Sequence, residues 1–256
     1  MTALHIDGIV AAQTRLSADI WQVDIICPEI ASIAQPGQFV TIRVNGLHVP
    51  LLRRPFGVSG VNKDEGKFSL IYRIVGEATQ LLGLLPVGQR INLLGPLGHG
   101  FTLDAKKALL VGGGVGLAPL HFLAERAPLH TLDVLIGGRS AAEVFWEALF
   151  KNNTQNQYVT TDDGSYGTKG TVNALLPQLL AAGTYDRVYV CGPSPMMKAV
   201  AAVVEQYNIP CQVSLEKYMG CGLGACLSCS CAGRNGKRMK ICKDGPVFDS
   251  REVTEW

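Results

Sequence analysis

Residues 221–229 read Cys-Gly-Leu-Gly-Ala-Cys-Leu-Ser-Cys, and Cys242 follows after twelve further residues. A C-x4-C-x2-C run with a more distant fourth cysteine is the plant-type spacing of [2Fe–2S] ligands. Three thiolates on one tight loop can hold one side of such a cluster, and a later segment can supply the fourth. The loop also contains Gly220, Gly222 and Gly224. Glycine lets backbone N–H groups approach cluster sulfurs closely, so the segment predicts an iron–sulfur site.

Four of the eight cysteines fit this spacing and are the predicted cluster ligands: Cys221, Cys226, Cys229 and Cys242. A closed tetrahedral zinc site is the main alternative because it also takes four thiolates. Zinc modules usually present two C-x2-C pairs, however, and this segment has one. Disulfides are the second alternative. Cys231 exceeds the pattern, and we interpret it as a packed neighbour of Cys229 and not as a ligand.

The composition is that of a folded protein with sizeable cores, since 47% of the 256 residues are apolar and 17% are charged. A formal net charge of +2 is too small to indicate nucleic-acid binding. The longest apolar stretch, residues 108–124, is shorter than the roughly 20 residues that a membrane span needs. The first residues lack the basic and apolar regions of a signal peptide, and nothing indicates an oxidising compartment. We therefore expect a cytoplasmic protein without membrane segments.

Two different patterns divide the chain before the cysteine segment. Residues 1–102 contain short strands between Pro, Gly, Asn and Asp clusters, which predicts a small antiparallel β-barrel with one helix that ends before Pro86. Residues 103–214 alternate apolar strands with helical patterns, which predicts a parallel α/β domain with helices on both faces. The expected fold is thus multi-domain β plus α/β, with residues 215–256 as a third, small cluster domain. The predicted strands are 6–14, 20–26, 38–44, 68–74, 90–94, 108–111, 132–136, 158–161 and 187–190, and the predicted helices are 78–85, 117–127, 141–150, 172–182 and 195–207.

A glycine-rich turn containing Gly112, Gly113, Gly114 and Gly116 joins the first α/β strand to its helix. Such a turn leaves helix N–H groups free beside the positive end of the helix dipole, which suits a pyrophosphate. The turn departs from the G-x-G-x-x-G fingerprint because Leu117 stands where the third glycine belongs. A tight packing turn is the alternative interpretation.

Cys191, Gly192 and Pro193 follow another strand of this sheet, at the carboxyl end where ligands of open α/β sheets bind. The Cys191 thiol could border a nicotinamide or could be a buried structural thiol. Arg139 ends the second strand, where a dinucleotide fold holds the adenosine ribose with an acid. It could face a 2′-phosphate or the pyrophosphate, so the residues alone leave the choice between NAD and NADP open.

In the barrel, Arg53, Arg54, Pro55 and Phe56 place two cations beside a rigid turn and an aromatic ring. Guanidinium groups bind phosphates bidentately, and the ring could lie on a flavin. A surface arginine pair is the simpler interpretation of the bare pattern. Thr79 and the adjoining N–H groups open the predicted helix and offer a second place for phosphates.

Taken in order, these motifs resemble those of the ferredoxin–NADP reductase superfamily. With the C-terminal cysteines, nearly the whole chain closely resembles the electron-transfer subunits of bacterial class 1B dihydroorotate dehydrogenases. The segments that carry the resemblance are Arg53–Phe56, Ile71–Arg73, residues 95–101, residues 112–119, Cys191–Pro193, the cysteine loop and Cys242–Phe248.

The resemblance implies FAD in the barrel, NAD on the α/β domain and a [2Fe–2S] cluster in the C-terminal segment. It also implies a separate FMN-containing dihydroorotate dehydrogenase catalytic subunit, a heterotetramer with two copies of each subunit, and a role in de novo pyrimidine biosynthesis. No residue of this chain is expected to act on dihydroorotate itself. The predicted cofactor-binding residues are Arg53, Arg54, Pro55, Phe56, Ile71, Tyr72, Arg73, Ala78, Thr79, Gly112, Gly113, Gly114, Gly116, Cys191, Gly192 and Pro193.

Two motifs depart from the family pattern. Phe56 and Gly57 replace an Ile-Ser pair, so a hydroxyl that would face the flavin is missing, although Ser59 is close in sequence. Ala78 replaces a glycine and puts a methyl group where the FAD phosphates approach. We expect both changes to leave FAD binding intact and to alter flavin affinity or potential.

Nicotinamide exchanges two electrons as a hydride and an iron–sulfur cluster takes one electron at a time, whereas a flavin does both, so FAD is expected between them. The same arrangement could serve another partner, such as a hydrogenase, a sulfide dehydrogenase or a ferredoxin oxidoreductase subunit. A zinc-stabilised adaptor that has kept a redox fold is a non-enzymatic alternative.

Overall fold

The computed structural model describes residues 3–44, 51–129, 131–182 and 184–256. These residues form two seven-stranded sheets and one two-stranded sheet. The first sheet comes from the N-terminal part of the chain, and the second from the middle part plus one strand near the C-terminus. The two-stranded sheet belongs to the cysteine-bearing segment.

The first sheet is antiparallel throughout and runs in the order β4-β3-β7-β1-β2-β6-β5. Val58 and Ser59 join the two edge strands, and their N–H groups donate to Gln38 and Ser69, which draws the edges together. The elements of this region are β1 (Leu4–Arg15), β2 (Ile20–Ile26), α1 (Pro28–Ile33), β3 (Phe39–Arg43), β4 (Arg54–Gly57), β5 (Gly60–Asn62), β6 (Lys67–Arg73), α2 (Glu77–Gly83) and β7 (Arg90–Leu97).

The barrel encloses one apolar core, filled by side chains that alternate inward along the strands. Val23 and Ile25 of β2 are fully buried, as are Phe68 and Leu70 of β6. The core also contains Phe122, which comes from the next domain of the chain and is fully buried. Burying one such ring stabilises the fold by roughly 1.5–3 kcal/mol, so the two domains share part of their packing.

The second sheet runs in the order β11-β10-β9-β8-β12-β13-β16 and is parallel except for its last pair. Its strands are β8 (Ala108–Gly113), β9 (Leu132–Gly138), β10 (Asn156–Thr161), β11 (Thr168–Lys169), β12 (Arg187–Cys191), β13 (Cys211–Ser214) and β16 (Val247–Asp249), and its helices are α3 (Leu117–Arg126), α4 (Trp146–Phe150), α5 (Leu176–Ala181) and α6 (Ser194–Gln206).

Helices cover both faces of this sheet, which explains why its central strand is apolar at every position. Leu109 and Val111 of β8 pack with α5 and α6, whereas Ala108 and Leu110 pack with α3 and α4. All four side chains are fully buried. A strand buried on both faces reads as a continuous apolar run, as the sequence does here.

The cysteine-bearing segment is an insertion between two neighbouring strands of the second sheet. Residues 215–246 leave the sheet at the end of β13 and return to it at β16, which pairs antiparallel with β13. Pro246 also forms a bridge with His99 below the barrel, so the segment contacts both larger domains. Its own elements are β14 (Ser230–Ala232), β15 (Arg238–Lys240) and α7 (Ile241–Asp244).

The predicted fold class, an antiparallel barrel followed by a parallel α/β domain and a small C-terminal segment, is confirmed. The helices expected at 141–150 and 172–182 are wrong in length, since each begins with a separate 3₁₀ turn, Ala141–Glu143 and Val172–Ala174. Pro177 explains the second break, because proline cannot continue a helix but fits its first turn. In addition, β16, which the predicted division places in the third domain, completes the sheet of the second.

Candidate functional site

A cleft of about 690 Å³ opens between the barrel and the α/β domain. It lies at the carboxyl ends of β8 and β12, where parallel sheets present ligand sites. The residues that line the cleft are Arg54, Pro55, Phe56, Gly57, Ile71, Tyr72, Arg73, Val75, Gly76, Glu77, Ala78, Thr79, Gly113, Gly114, Val115, Gly116, Gly192, Pro193, Ser194, Met197 and Glu216. Thirteen of the sixteen predicted cofactor-binding residues are therefore brought together at one place.

The glycine-rich turn approaches the neighbouring strand so closely that side chains are excluded. A Cβ atom on Gly116 would lie 2.5 Å from the backbone of Gly192, although the Gly116 φ of −60° is helical. Gly114 has open space around it but a φ of +56°, which L-residues rarely adopt. One glycine is thus required by close approach and the other by backbone conformation, and both leave the N–H groups of the turn accessible.

The barrel contributes a cation and an aromatic pair to the opposite wall. The Arg54 guanidinium donates to the carbonyl of Leu52 at 2.7 Å and remains on the cleft lining. Phe56 and Tyr72 are largely buried and pack edge to face with their ring centroids 5.7 Å apart. Burial raises the Tyr72 pKa well above its ordinary value, so the hydroxyl is neutral. This wall can hold an anionic group beside a planar apolar one.

Thr79 reaches the cleft through the first turn of α2. Its Oγ1 accepts from the N–H groups of Val75 and Gly76, at 3.0 and 3.1 Å, and donates to the Gly76 carbonyl. The hydroxyl therefore holds the loop in place, and the neighbouring Ala78 lines the cleft. Thr79 therefore shapes the loop that borders the cleft.

Three predicted cofactor-binding residues lie outside both cavity linings. Arg53 turns toward β7, where its guanidinium donates to the Asn92 carbonyl at 3.2 Å and contacts the Asn92 side chain. Gly112 faces α3, since a Cβ atom there would meet the Leu117 side chain at 2.4 Å. The Cys191 thiol is 2% exposed and lies 3.7 Å from the Ser214 carbonyl, and its burial raises its pKa. Ser59 is also buried and outside the linings, so it does not replace the hydroxyl missing at Gly57.

Glu216 lines the cleft and is absent from the sequence-based site. It follows β13 directly and faces the same space as Gly116 and Met197. The residue keeps access to solvent through the cleft, but the surrounding protein desolvates its carboxyl group and raises the pKa. A glutamate followed by a lysine forms no recognisable motif, so the sequence does not predict Glu216 at this site. Its position follows only from the pairing of β13 with β12.

A second cavity, of about 410 Å³, adjoins the first and shares Gly113, Gly114, Pro193 and Arg73 with it. It extends along the carboxyl ends of β8, β9 and β10. Within the described part of the chain, two buried polar atoms of its lining, Thr160 Oγ1 and Asn173 Oδ1, have no hydrogen-bond partner. Buried polar groups are nearly always satisfied, so the cavity fits a ligand that carries hydrogen-bonding groups of its own.

The four predicted cluster ligands form two pairs. The Cys226 N–H donates to Cys221 Sγ at 3.4 Å, and the Cys242 N–H donates to Cys229 Sγ at 3.5 Å. Cys226 is exposed, Cys221 is partly exposed, and the second pair is buried. Cys231 is buried in the same apolar core as Cys229 and Cys242 and pairs with Met239 across β14 and β15, and its assignment as a packed neighbour and not a ligand stays a prediction.

Backbone N–H groups surround these sulfurs. Leu223 donates to Cys221 Sγ at 3.3 Å and Gly224 donates to Cys242 Sγ at 3.1 Å. The turns that aim them use positive φ angles at Gly222 and Gly224, 71° and 81°. Hydrogen bonds to sulfur stabilise the anionic thiolate that binds metal.

The thiols differ in acidity because their surroundings differ. Hydrogen bonds from Ser228 lower the pKa of Cys226 to about 6, whereas burial raises the pKa of Cys242 to about 12. Among the described residues, no three His, Cys, Asp or Glu side chains converge in the way that one metal ion requires. Four thiols arranged as two pairs would fit two irons with two protein ligands each, as the cysteine spacing predicts.

Three family models match consecutive parts of the chain. An oxidoreductase FAD-binding domain matches residues 7–101, an oxidoreductase NAD-binding domain matches residues 110–202, and the iron–sulfur cluster binding domain of dihydroorotate dehydrogenase B matches residues 216–254. Within the described residues, no helix is both long enough and apolar enough to cross a membrane.

Two curated relatives match over nearly their full lengths. The "dihydroorotate dehydrogenase B (NAD(+)), electron transfer subunit" of Desulforamulus reducens is 37% identical over 96% of this chain and 97% of its own. The subunit of the same description from Geobacillus thermodenitrificans is 40% identical over 95% of this chain and 96% of its own.

Solved structures agree with this fold. A chain of the NADH-dependent reduced ferredoxin–NADP oxidoreductase, studied for flavin-based electron bifurcation, is 31% identical and superposes with a TM-score of 0.84 over 97% of this chain and 90% of its own. A ferredoxin–NADP+ reductase from Neisseria gonorrhoeae with bound FAD and NADP has a TM-score of 0.64 at 17% identity, over 79% of this chain and 91% of its own. The second likeness shows the fold alone.

Proposed function

The chain belongs to the family of electron transfer subunits of dihydroorotate dehydrogenase B, and from that premise we propose how it works. It is an NAD(H)- and FAD-dependent iron–sulfur oxidoreductase subunit that connects a separate FMN-containing catalytic subunit to NAD(H) in de novo pyrimidine biosynthesis. The complex contains two copies of each subunit. This chain binds no dihydroorotate.

One observation supports this proposal above the others: the two predicted nucleotide sites share part of their lining, and the cysteine loop packs on the barrel strand that pairs with Pro55 of the cleft. The two cavities share Gly113, Gly114 and Pro193. The cysteine loop packs on the barrel, since a Cβ atom at Gly222 would lie 3.2 Å from Thr41 and 3.3 Å from Leu97. Electron transfer between three groups requires that they be held close together, and neighbouring candidate sites of this kind support that role.

In the larger cleft, this chain's residues bind and orient FAD. Arg54 supplies a fixed charge for a phosphate, and the first turn of α2, with Ala78 and Thr79, lines the same cleft. Phe56 and Tyr72 give the apolar wall for the ring system. When bound, FAD would exchange a hydride with nicotinamide and single electrons with the iron–sulfur cluster.

In the smaller cavity, the residues hold NAD(H) so that its nicotinamide end enters the shared corner. The turn at Gly113 and Gly114 offers N–H groups to the pyrophosphate, and Pro193 forms the floor between the cavities. Cys191, two residues before Pro193, is buried, and its thiol contacts the Ser214 carbonyl. Its raised pKa keeps it a neutral thiol.

In the cysteine loop, the residues hold the cluster against the barrel and leave one side of it accessible. The buried pair, Cys229 and Cys242, faces the core, and Cys226 is at the surface. Leu223 and Leu227 flank the exposed thiol and are themselves 51% and 61% exposed. This exposed side is where the catalytic subunit would bring its FMN.

The function is tested by reconstitution. The isolated chain, loaded with FAD and cluster, should be reduced by NADH and should pass electrons to an artificial acceptor, while dihydroorotate leaves its absorption spectrum unchanged. Addition of the FMN-containing subunit should then give NADH from dihydroorotate and NAD+. Oxidation of dihydroorotate by this chain alone would contradict the division of roles, and coupling only to ferredoxin would favour the ferredoxin oxidoreductase alternative.

A further inference from the structure

Within the described part of the chain, the sulfur of Cys226 has a hydrogen-bond partner of a different kind from those of the other predicted ligands. Backbone N–H groups donate to the sulfurs of Cys221, Cys229 and Cys242. A side-chain hydroxyl, that of Ser228, lies 3.1 Å from Cys226 Sγ. Cys226 is also the exposed member of the four. The protein therefore supplies a hydroxyl of its own at the ligand that faces outward.

The direction of the hydrogen bond between Ser228 and Cys226 follows from its surroundings. The Gly220 N–H donates to Ser228 Oγ at 3.0 Å, so the hydroxyl already acts as an acceptor toward the backbone. A cysteine that ligates a metal is a thiolate and has no proton to donate. A serine hydroxyl has one proton. Ser228 is therefore the donor in this pair, and Cys226 Sγ is the acceptor.

Gly220 packs against both atoms of this hydrogen bond. A Cβ atom on Gly220 would lie 3.2 Å from Cys226 Sγ and 3.4 Å from Ser228 Oγ. The first of these distances is shorter than an ordinary van der Waals contact, so a side chain at this position would push on the sulfur. The backbone at Gly220 thus covers one side of the pair and holds the hydroxyl in place through its N–H group.

The turn that brings Ser228 back to the sulfur uses a rare backbone conformation. Leu227, which lies between Cys226 and Ser228, has a φ of +61°, in the left-handed region that residues other than glycine seldom adopt. The N–H and the hydroxyl of Ser230 both donate to the Leu227 carbonyl, at 3.1 and 2.8 Å, and hold this turn. Strained residues that are kept in place by their neighbours are concentrated at functional sites.

We propose that Ser228 raises the reduction potential of the predicted iron–sulfur cluster through its hydrogen bond to Cys226. One-electron reduction of such a cluster breaks no bond and adds one negative charge, which the ligand sulfurs share. A hydrogen bond to a ligand sulfur stabilises that charge and so favours the reduced form. The inference rests on the proposed function, in which the electron comes from the FMN of the catalytic subunit and passes on to FAD.

The test measures the midpoint potential of the cluster in the FAD- and cluster-loaded chain, by titration with dithionite followed by EPR spectroscopy. Ser228→Ala should lower the equilibrium constant for one-electron reduction by about threefold to tenfold, the net contribution of one hydrogen bond. Ser228→Thr keeps the hydroxyl and should have the wild-type potential. Ser230→Ala is the matched control, because the Ser230 hydroxyl holds the same turn but donates to a carbonyl and not to a sulfur. Its potential should also equal that of the wild type.

The outcomes separate this inference from the proposed function. If Ser228→Ala holds the cluster at the wild-type potential, the inference is wrong and the proposed function stands. An equal fall in Ser228→Ala and Ser230→Ala would also overturn the inference, because the turn and not the hydroxyl would then set the potential. Loss of the cluster in Ser228→Ala would give the hydroxyl a structural role and would overturn it too. If the wild-type chain binds zinc instead of iron, the proposed function is wrong as well.

Discussion

The nucleotide cavities and the cysteine loop hold their ligands in opposite ways. The cavities lie at the ends of strands whose backbone pairing is complete without any ligand. Residues 215–229, in contrast, contain no helix or strand, and their turns are fixed by N–H groups that point at thiol sulfurs. The shape of the first site belongs to the fold, and that of the second depends on what the sulfurs bind.

This difference predicts different consequences of damage. In the cavities, a changed residue should alter affinity or local stability by a limited amount, because the sheet remains. In the loop, the loss of one ligand should abolish the site, because three of the four ligands lie on a segment without helix or strand. The following experiments are ordered from the largest expected effect to the smallest.

Replacement of a single ligand should remove the iron–sulfur cluster completely. In Cys226→Ser the exposed thiolate is lost and one thiol pair is broken, so the visible absorbance of the cluster should disappear while FAD remains bound. Cys231→Ser, in the apolar core, is the control and should keep the cluster. Loss of cluster absorbance in Cys231→Ser but not in Cys226→Ser would contradict the ligand assignment. Loss of FAD together with the cluster would contradict the contrast between the two sites.

Removal of the cleft's arginine should weaken FAD binding without abolishing it. A hydrogen bond to a charged group contributes roughly 1.5–3 kcal/mol, so Arg54→Ala should raise the FAD dissociation constant by about one to two orders of magnitude. Arg53→Ala is a sharp control because Arg53 is the adjacent arginine and contacts Asn92 outside the cleft. FAD retention after gel filtration measures both, and equal losses in the two variants would contradict the assigned site.

Filling the close approach at the glycine turn should destabilise the α/β domain. In Gly116→Ala the new methyl group would meet the Gly192 backbone at 2.5 Å, and overpacking of this kind costs about 1–3 kcal/mol. Gly76→Ala, in the same cleft, is the control because nothing lies within 4 Å of its Cβ position and its backbone is extended. Urea unfolding should show a lower midpoint for Gly116→Ala alone, and equal midpoints would mean that the turn adjusts more easily than the structure indicates.

The smallest expected effect concerns the pH dependence of stability at Glu216. Desolvation raises the pKa of this carboxyl group in the folded protein above its unfolded value, so ionisation opposes folding and the unfavourable effect grows as the pH rises. Glu216→Gln should therefore raise the melting temperature slightly at pH 8, by no more than about 2 °C, and not at all near pH 4. A gain that is independent of pH, or larger at low pH, would show that the carboxyl group is not desolvated as described.

Much of the α/β domain was predictable because its strands are buried on both faces. The run Ala-Leu-Leu-Val at residues 108–111 predicts a buried strand because it is short, apolar and followed by glycines. The cysteine spacing predicted the pairing of segments far apart in the chain. In both places the local sequence pattern and the tertiary structure favour the same conformation, which is why the sequence alone predicted it.

The barrel wall was harder to predict because short strands carry little pattern. β4 has four residues, Arg54–Gly57, and includes a proline and a glycine, which predict a turn. Without that strand, the alternation that separates Arg53 from Arg54 could not be seen, and both were assigned to the cofactor. Glu216 was not predicted as a site residue for a related reason. Its position depends on the pairing of β13 with β12, and no residue near it in sequence indicates that contact.

The insertion of the cysteine segment between β13 and β16 has a consequence for biosynthesis. A ribosome releases β16 last, so the edge of β13 stays unpaired in the nascent chain until all four cysteines have been synthesised. An open strand edge invites pairing with other chains, and its closure here waits for the return of residues 247–249. Both the metal centre and the edge of the sheet can thus be completed only late in synthesis. Until residues 247–249 arrive, the nascent protein carries an open strand edge and is in the form most prone to aggregation.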